Sequence, residues 1–326
     1  MTRPTRAEQS LALGSGPEFD RIRKLIRELG DRGAGLGDDC GLIPTGDGVL
    51  ALSTDVSVEG VHFLLDWISF ADVGWRAAAG ALSDLAAEGA EPLGVLCAVT
   101  MPAHAAESQL VEVISGAGAA AASVGAPVLG GDLSSGPGWS IAVTVIGRAS
   151  RPVTRAGAQP GDGLWVTGTL GGSRAALEAW RRGAEPEPAS RQRFARPEPR
   201  IAAGRWLARH GARAMIDLSD GLAGDAGHIA AASSVAIEVD LASLPIADEV
   251  GAESVRLGIS SGRFAAEGGE DFELLAVLAP GFDAAAEMKK ECGIALTAVG
   301  AVHQGSGVRF LENGRAISLR GFSHFG

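Results

Sequence analysis

The side chains in this chain best equipped for chemistry are aspartates set in short stretches of Gly, Ser and Thr. They fall in Gly37-Asp38-Asp39, Ser53-Thr54-Asp55, Leu82-Ser83-Asp84, Gly130-Gly131-Asp132 and Asp217-Leu218-Ser219-Asp220-Gly221. Surface carboxylates usually sit among Lys and Arg on helix faces. These sit where apolar runs end in small residues that let a ligand approach the backbone. Hard-oxygen clusters of this kind suit Mg²⁺, which binds through a few carboxylates, keeps several waters and takes further ligands from substrate phosphates. Any one of these aspartates alone is explained by a turn or an N-cap. Their recurrence at predicted strand ends and loops points to a shared metal site, with Asp84 the member whose own surroundings say least.

Other chemistries find little support. The only lysines are Lys24, Lys289 and Lys290, so no GxxxxGK[ST] phosphate loop exists. Gly35-Leu-Gly37-Asp38-Asp39-Cys40-Gly41 has GxGxxxG spacing and two acids where a pyrophosphate would need amide hydrogens, against a dinucleotide site. Gly168-Thr-Leu-Gly-Gly-Ser173 could place an anion at a helix N-terminus, although a plain strand-to-helix turn accounts for it as well. An EF-hand reading of residues 217–228 fails because His228 stands where a bidentate Glu should close the loop. The six histidines and three cysteines do not cluster at zinc-ligand spacing, and no nucleophile-histidine order stands out. His62, in Glu59-Gly-Val-His62-Phe63, follows a predicted strand, and its closeness to Asp55 puts contact with the same ligand within reach.

The elements that must hold these residues alternate. Helical spacing of Phe19, Ile22, Leu25, Ile26 and Leu29 predicts an amphipathic helix, followed by a glycine loop over 33–41. Strands are predicted at 48–54, 93–101, 127–130 and 139–147, with helices at 71–89 and 107–124. A turn-rich stretch at 155–162 precedes a second series: strands at 163–168, 214–218, 235–241, 272–278, 295–302 and 308–311, and helices at 221–232 and 283–291. The Pro/Glu/Arg-rich residues 184–199 read as a surface connection. The class is α/β (α+β), with a boundary near residue 150: a disordered leader over 1–16, a first domain over 17–150 and a second over 151–326.

With 28 basic and 39 acidic residues the formal charge is -11, which disfavours attraction to nucleic acid or anionic membrane. A polyanionic substrate would need cations between it and the protein. The 47 glycines imply many positions of positive φ or close approach. Widely spaced Cys40, Cys97 and Cys292 fit a reduced, cytoplasmic enzyme, and the longest apolar run, 93–101, is too short to cross a bilayer.

Nine motifs in order resemble the thiamine-monophosphate kinase family of the aminoimidazole ribonucleotide synthetase superfamily. They are GLGDDCG at 35–41, LSTDVSVEGVHF at 52–63, LSDLAAEGAEP at 82–92, GGD at 130–132, TRAGAQPGD at 154–162, VTGTLGGS at 166–173, RPEPR at 196–200, IDLSDGLAGDAGHI at 216–229 and GGEDFEL at 268–274. The resemblance implies a two-domain fold whose N-terminal α/β domain forms a shared β-barrel in a homodimer. It implies transfer of phosphate from ATP to thiamine monophosphate with several Mg²⁺ ions. Carried over by position, it implies metal ligation by Asp39, Ser53, Thr54, Asp55, Asp84, Asp132, Asp217 and Asp220, and nucleotide contact by Gly131, Asp132, Arg155 and Ser219. Thiamine contact is implied for His62, Glu270 and Phe322, the last keeping a stacking face without the polar handle of Tyr or Trp.

That chemistry suits the residues. The acceptor phosphate has a second pKa near 6, so it is largely deprotonated at neutral pH, and no general base or covalent nucleophile is required. Positioning and charge neutralisation suffice for direct in-line transfer. Two alternatives are a ring-closing synthetase of the same superfamily and a non-enzymatic Mg-nucleotide-binding protein. A selenophosphate synthetase would need a reactive Cys followed by Lys near the N-terminus, and neither occurs in that arrangement.

Overall fold

The computed structural model describes residues 11–33 and 35–323. Helix α1 (Pro17–Leu29), opened by Pro17 with Glu18 and Asp20 in its first turn, buries no residue fully. Residues 11–16 fall in the expected leader, but they are held against the body: Gly14 N–H donates to His228 Nδ1 at 3.2 Å, and Arg23 Nη1 donates to the Gly14 carbonyl at 2.6 Å. Residues 1–10 of that expectation lie outside the described residues.

The first sheet uses β1 (Gly41–Thr45), β2 (Gly48–Val58), β3 (Glu91–Met101), β4 (Val128–Ser135) and β5 (Ser140–Ala149) in the order β1-β2-β5-β3-β4. Only β3 and β4 run parallel, and helix α3 (Glu107–Ser123) makes their crossover. Strand β5 alternates half-buried and buried residues, so one face meets the core. Edge strand β4 is exposed along its whole length. The sheet is open at β1 and β4, so one chain does not itself close a barrel.

Helix α2 (Phe70–Ala87) starts with a Ser69–Asp72 capping box and is buried almost all round. Its alanines explain why: a helix apolar on every side can be sandwiched. It packs on α3 and the first sheet, and it also reaches α5 (Pro188–Ala195), α6 (Ile201–Arg209) and β7 (Ala214–Asp217) in the second half. Helix α5 corrects the expected surface connection. Phe194 is buried in an aromatic group with Trp67 and Trp180, a tertiary contact that a Pro/Glu/Arg-rich sequence does not reveal.

The second sheet runs β12-β11-β8-β10-β6-β9-β7, with β6 (Gly163–Thr167), β8 (Ala236–Asp240), β9 (Leu274–Leu278), β10 (Leu296–His303), β11 (Gly307–Glu312) and β12 (Arg315–Ile317). Helices α4 (Gly172–Arg181), α7 (Leu222–Ser233), α8 (Val250–Leu257), α9 (Ser261–Ala266) and α10 (Ala285–Cys292) complete it. β7 is an edge strand yet wholly buried, because residues 153–157 cover its open side; Met215 N–H donates to the Thr154 carbonyl at 3.1 Å. That cover sets Arg155 beside the end of β7, where Asp217 stands. Among the described residues no helix is long and apolar enough to cross a membrane.

Candidate active site

Three carboxylates from three elements converge. Asp39 from the glycine loop, Asp84 from the last turn of α2 and Asp217 from the end of β7 each offer an oxygen, and these oxygens lie within 4.8 Å of one another. Ser53 on β2 donates its hydroxyl to Asp84 Oδ2 at 2.5 Å. Asp55 lies on the next outward position of β2, against α2 one turn before Asp84: a Cβ added at Gly80 would sit 3.6 Å from Asp55 Oδ2. Thr54 shares a hydroxyl hydrogen bond of 2.8 Å with Thr144 on β5.

The electrostatics of this group are adverse. Burial, then the charges of Asp55, Asp217 and Asp39, push the Asp84 carboxyl well above the carboxylate range. Burial and Asp39 do the same to Asp217. Asp55 opens to solvent at the mouth, yet the protein around it and the charge of Asp39 raise it too. Asp38 rises to about 6 through burial and its neighbour Asp39. Like charges in a poorly solvated site raise one another's pKa in this way. Among the described residues one internal cation answers them. Arg155 grips Asp39 with Nη2 to Oδ1 at 2.6 Å and Nε to Oδ2 at 3.3 Å, and its backbone N–H donates to Asp38 Oδ1 at 3.1 Å. Burial alone would lower the Arg155 pKa, but the pairing with Asp39 outweighs it and the net shift is upward.

Two loops close the second-half side. Glu270 N–H donates to the Ser219 carbonyl at 2.7 Å, Phe272 N–H to Leu218 at 3.0 Å and Leu218 N–H to Glu273 at 2.8 Å. Their backbones approach so closely that a Cβ at Gly221 would lie 2.7 Å from the Gly268 carbonyl oxygen, and Gly221 has φ +95°. Glu270 and Phe272 take φ values of 64° and 50°, unusual for non-glycine residues. The Glu270 carboxylate forms an ion pair with Arg76 of α2. Phe322 N–H donates to the Asp220 carbonyl at 2.8 Å, so Ser219, Asp220, Glu270 and half-exposed Phe322 meet at one turn. His62 is fixed at the end of β2, its Nδ1 accepting from Val58 N–H at 3.0 Å.

The chain is similar to known proteins both in sequence and in fold. The AIR synthase related protein family matches in two parts, its N-terminal domain over residues 37–149 and its C-terminal domain over 159–311. The thiamine-monophosphate kinase of Mycobacterium tuberculosis is 38% identical over 267 residues, covering 81% of this chain and 80% of the relative. The chain belongs to the thiamine-monophosphate kinase family. The Escherichia coli K12 member is 35% identical and spans 94% of this chain and 95% of its own. In structure, AaThiL complexed with AMPPCP and TMP superposes with a TM-score of 0.83 at 32% identity, covering all of this chain and 99% of the other.

Of the residues expected from sequence, Asp39, Ser53, Asp55, Asp84, Asp217 and Arg155 share one centre. Gly131 and Asp132 do not join it within this chain. Asp132 is exposed on β4, and the register aligns it through Ala98 and Ala142 with Val56, three strands away, or about 14 Å along the sheet. Gly131 also has a packing reason to be glycine, because a Cβ there would fall 1.8 Å from the Cys97 carbonyl oxygen. The helix start at 168–173 proves structural: Asp271 accepts from Gly171 N–H at 2.7 Å and Ser173 N–H at 3.3 Å, so the protein's own carboxylate occupies it.

Asp38 was set beside Asp39 in the sequence but given no role, and two further acids of the centre, Glu88 and Asp225, were not singled out. Asp38 adjoins Arg155, as above. Glu88 is fully buried with only the Cys40 backbone N–H near its carboxylate, and burial followed by Asp38 and Asp39 raises it strongly. Asp225 on α7 is buried with Oδ2 unpartnered, and burial followed by Asp220 and Asp217 raises it. For Glu88 and Asp225 the available signal was an acid in an otherwise apolar, alanine-rich helical stretch, where burial is expected and a charge is not.

Proposed function

We propose that this chain transfers the γ-phosphoryl group of ATP to thiamine monophosphate, giving thiamine diphosphate and ADP, and that it does so as a cytoplasmic homodimer. The observation that carries the reading is the convergence of Asp39, Asp84 and Asp217 from both halves of a chain with no phosphate-loop lysine. Buried oxygens that raise one another's pKa form a donor set that fits a hard divalent cation. Asp39, Asp55, Asp84 and Asp217, with Ser53, Thr54 and Asp220 beside them, would hold Mg²⁺, and Asp132 would serve from the rim. Bound there, Mg²⁺ would supply the positive charge that neutralises the phosphates.

The chain's own groups do the rest. Arg155 brings a guanidinium to the acidic centre where a nucleotide phosphate can meet it, with Gly131 and Ser219 as further nucleotide contacts. Glu270, oriented by Arg76, and Phe322, tied to Asp220, position the thiamine moiety together with His62. Ring stacking on Phe322 suits a cationic heteroaromatic ligand. The acceptor phosphate arrives deprotonated, so transfer runs in line with no general base and no phosphoenzyme. Residues 17–150 supply most of the metal site, and residues 151–326 supply Asp217, Ser219, Asp220 and the substrate loops. The dimer reading is supported by β4, an open edge exposing Val128, Leu129 and Leu133.

The test is product analysis with ATP, thiamine monophosphate and millimolar Mg²⁺. One thiamine diphosphate per ADP, with no free phosphate and no turnover without Mg²⁺, is expected. Thiamine-independent release of free phosphate, or no thiamine diphosphate, would overturn the reading.

A further inference from the structure

A second charged concavity lies elsewhere on the chain, and its sign is opposite. A cleft of about 500 Å³ opens between the end of the first sheet and α6. Arg148 and Arg151 at the end of β5 and Arg205 and Arg209 on α6 surround it, against only Asp47 in the β1–β2 turn and Glu91 at the start of β3. Four guanidiniums facing two carboxylates leave the cleft at about +2 in a chain whose formal charge is -11. The topology enforces this concentration. Arg148 and Glu91 are register partners across β5 and β3, while Arg205 and Arg209, four residues apart, share one face of α6.

The protein does not use these guanidiniums internally. Arg205 touches Glu91 at 3.4 Å, with both side chains more than two-fifths exposed. Among the described residues Arg148, Arg151 and Arg209 form no salt bridge. The remaining lining is Gly89, Ala149, Ser150 and Ala208, with no aromatic ring on which a base could stack. The cleft shares no lining residue with the acidic centre.

We propose that this cleft is a second, anion-selective site that binds a compact phosphoryl oxyanion, inorganic pyrophosphate or the phosphate tail of a nucleotide. Planar guanidinium forks match phosphate oxygens in pairs, and several forks around one concavity can hold more than one phosphoryl group. Without an aromatic platform, a nucleoside would add little, so pyrophosphate and ADP should bind alike.

The experiment is isothermal titration of the full chain with inorganic pyrophosphate, and separately with ADP, in resin-treated metal-free buffer. There the acidic centre repels anions. Saturable binding of one pyrophosphate per chain is expected, with ADP within threefold of it. Arg148→Ser/Arg205→Ser should weaken binding at least tenfold while kinase turnover persists, and Asp55→Asn should leave it unchanged. Arg151→Glu, a single exposed change, should also weaken it at least tenfold. Absence of saturable binding, a double variant or Arg151→Glu within twofold of the parent, or binding lost in Asp55→Asn would overturn the proposal.

Discussion

Two sets of buried carboxylates lie close to each other in the fold, and the protein treats them in opposite ways. Glu273, wholly buried on the approach to β9, is fully answered: Arg200 donates through Nε at 2.9 Å and Nη2 at 2.7 Å, and Thr167 donates its hydroxyl at 2.6 Å. Asp271, two residues earlier, accepts two backbone N–H groups at the start of α4, which offset part of the burial that raises its carboxyl to about 7. The acids of the centre have mainly one another, with Arg155 on Asp39 and the Ser53 hydroxyl on Asp84. Buried charge is tolerated when paired and hydrogen-bonded, and it is costly when left facing like charge. The paired set is therefore structural, pinning the 196–200 loop to the sheet. The unpaired set is a standing demand for cations from outside, in an acidic chain whose only lysines are Lys24, Lys289 and Lys290.

Removing members of each set should break the comparison in different ways. The largest effect is on catalysis: Asp55→Asn should lower thiamine diphosphate formation about a thousandfold, while circular dichroism stays as in the parent. Activity within tenfold would remove Asp55 from the metal site. Next comes Glu273→Gln, which leaves Arg200 half-buried with a weaker partner. Chemical denaturation should show a loss of about 3 kcal/mol. An unchanged midpoint would show that the pair contributes nothing.

A smaller effect concerns the segment over α7. His228 is buried under Gly14 and the Phe19 ring, and burial, then Arg155 and Arg23, lowers its pKa from 6.5 to about 3. The unfolded chain binds a proton below pH 6.5 that the folded chain refuses, so stability is full above that pH and is lost as pH falls towards 3. Between pH 7 and pH 5 the loss from this residue is about 2 kcal/mol. His228→Gln should flatten that part of the stability profile, and an unaltered slope would contradict the assignment.

Much of the centre was legible because its aspartates follow strand ends and interrupt apolar runs, as Asp217 and Asp55 do. What stayed hidden depends on tertiary neighbours. Arg155 sits in an unremarkable turn, and only the cover it forms over β7 shows that it clamps Asp39. Glu88 ends an alanine-rich helix, where an acid looks like a solvated terminus until the second half packs over it. The α5 helix is invisible in composition because Phe194 and its tryptophan partners, not local propensity, hold it. Asp132 is the reverse case. Its Gly-Gly-Asp setting matches the others, but strand order places it on an exposed edge away from the trio.

The most direct test is a metal-free denaturation comparison of Asp217→Asn with the parent at pH 7.5, repeated with millimolar Mg²⁺. A carboxyl whose folded pKa is raised weakens the fold once ionised, so the neutral isostere should stabilise the metal-free protein, on the order of 1–2 kcal/mol. Mg²⁺ should then stabilise the parent and not the variant. A variant less stable than the parent without metal, responding to Mg²⁺ as the parent does, would show Asp217 to be a satisfied structural acid like Glu273 and would contradict the cation-demanding centre.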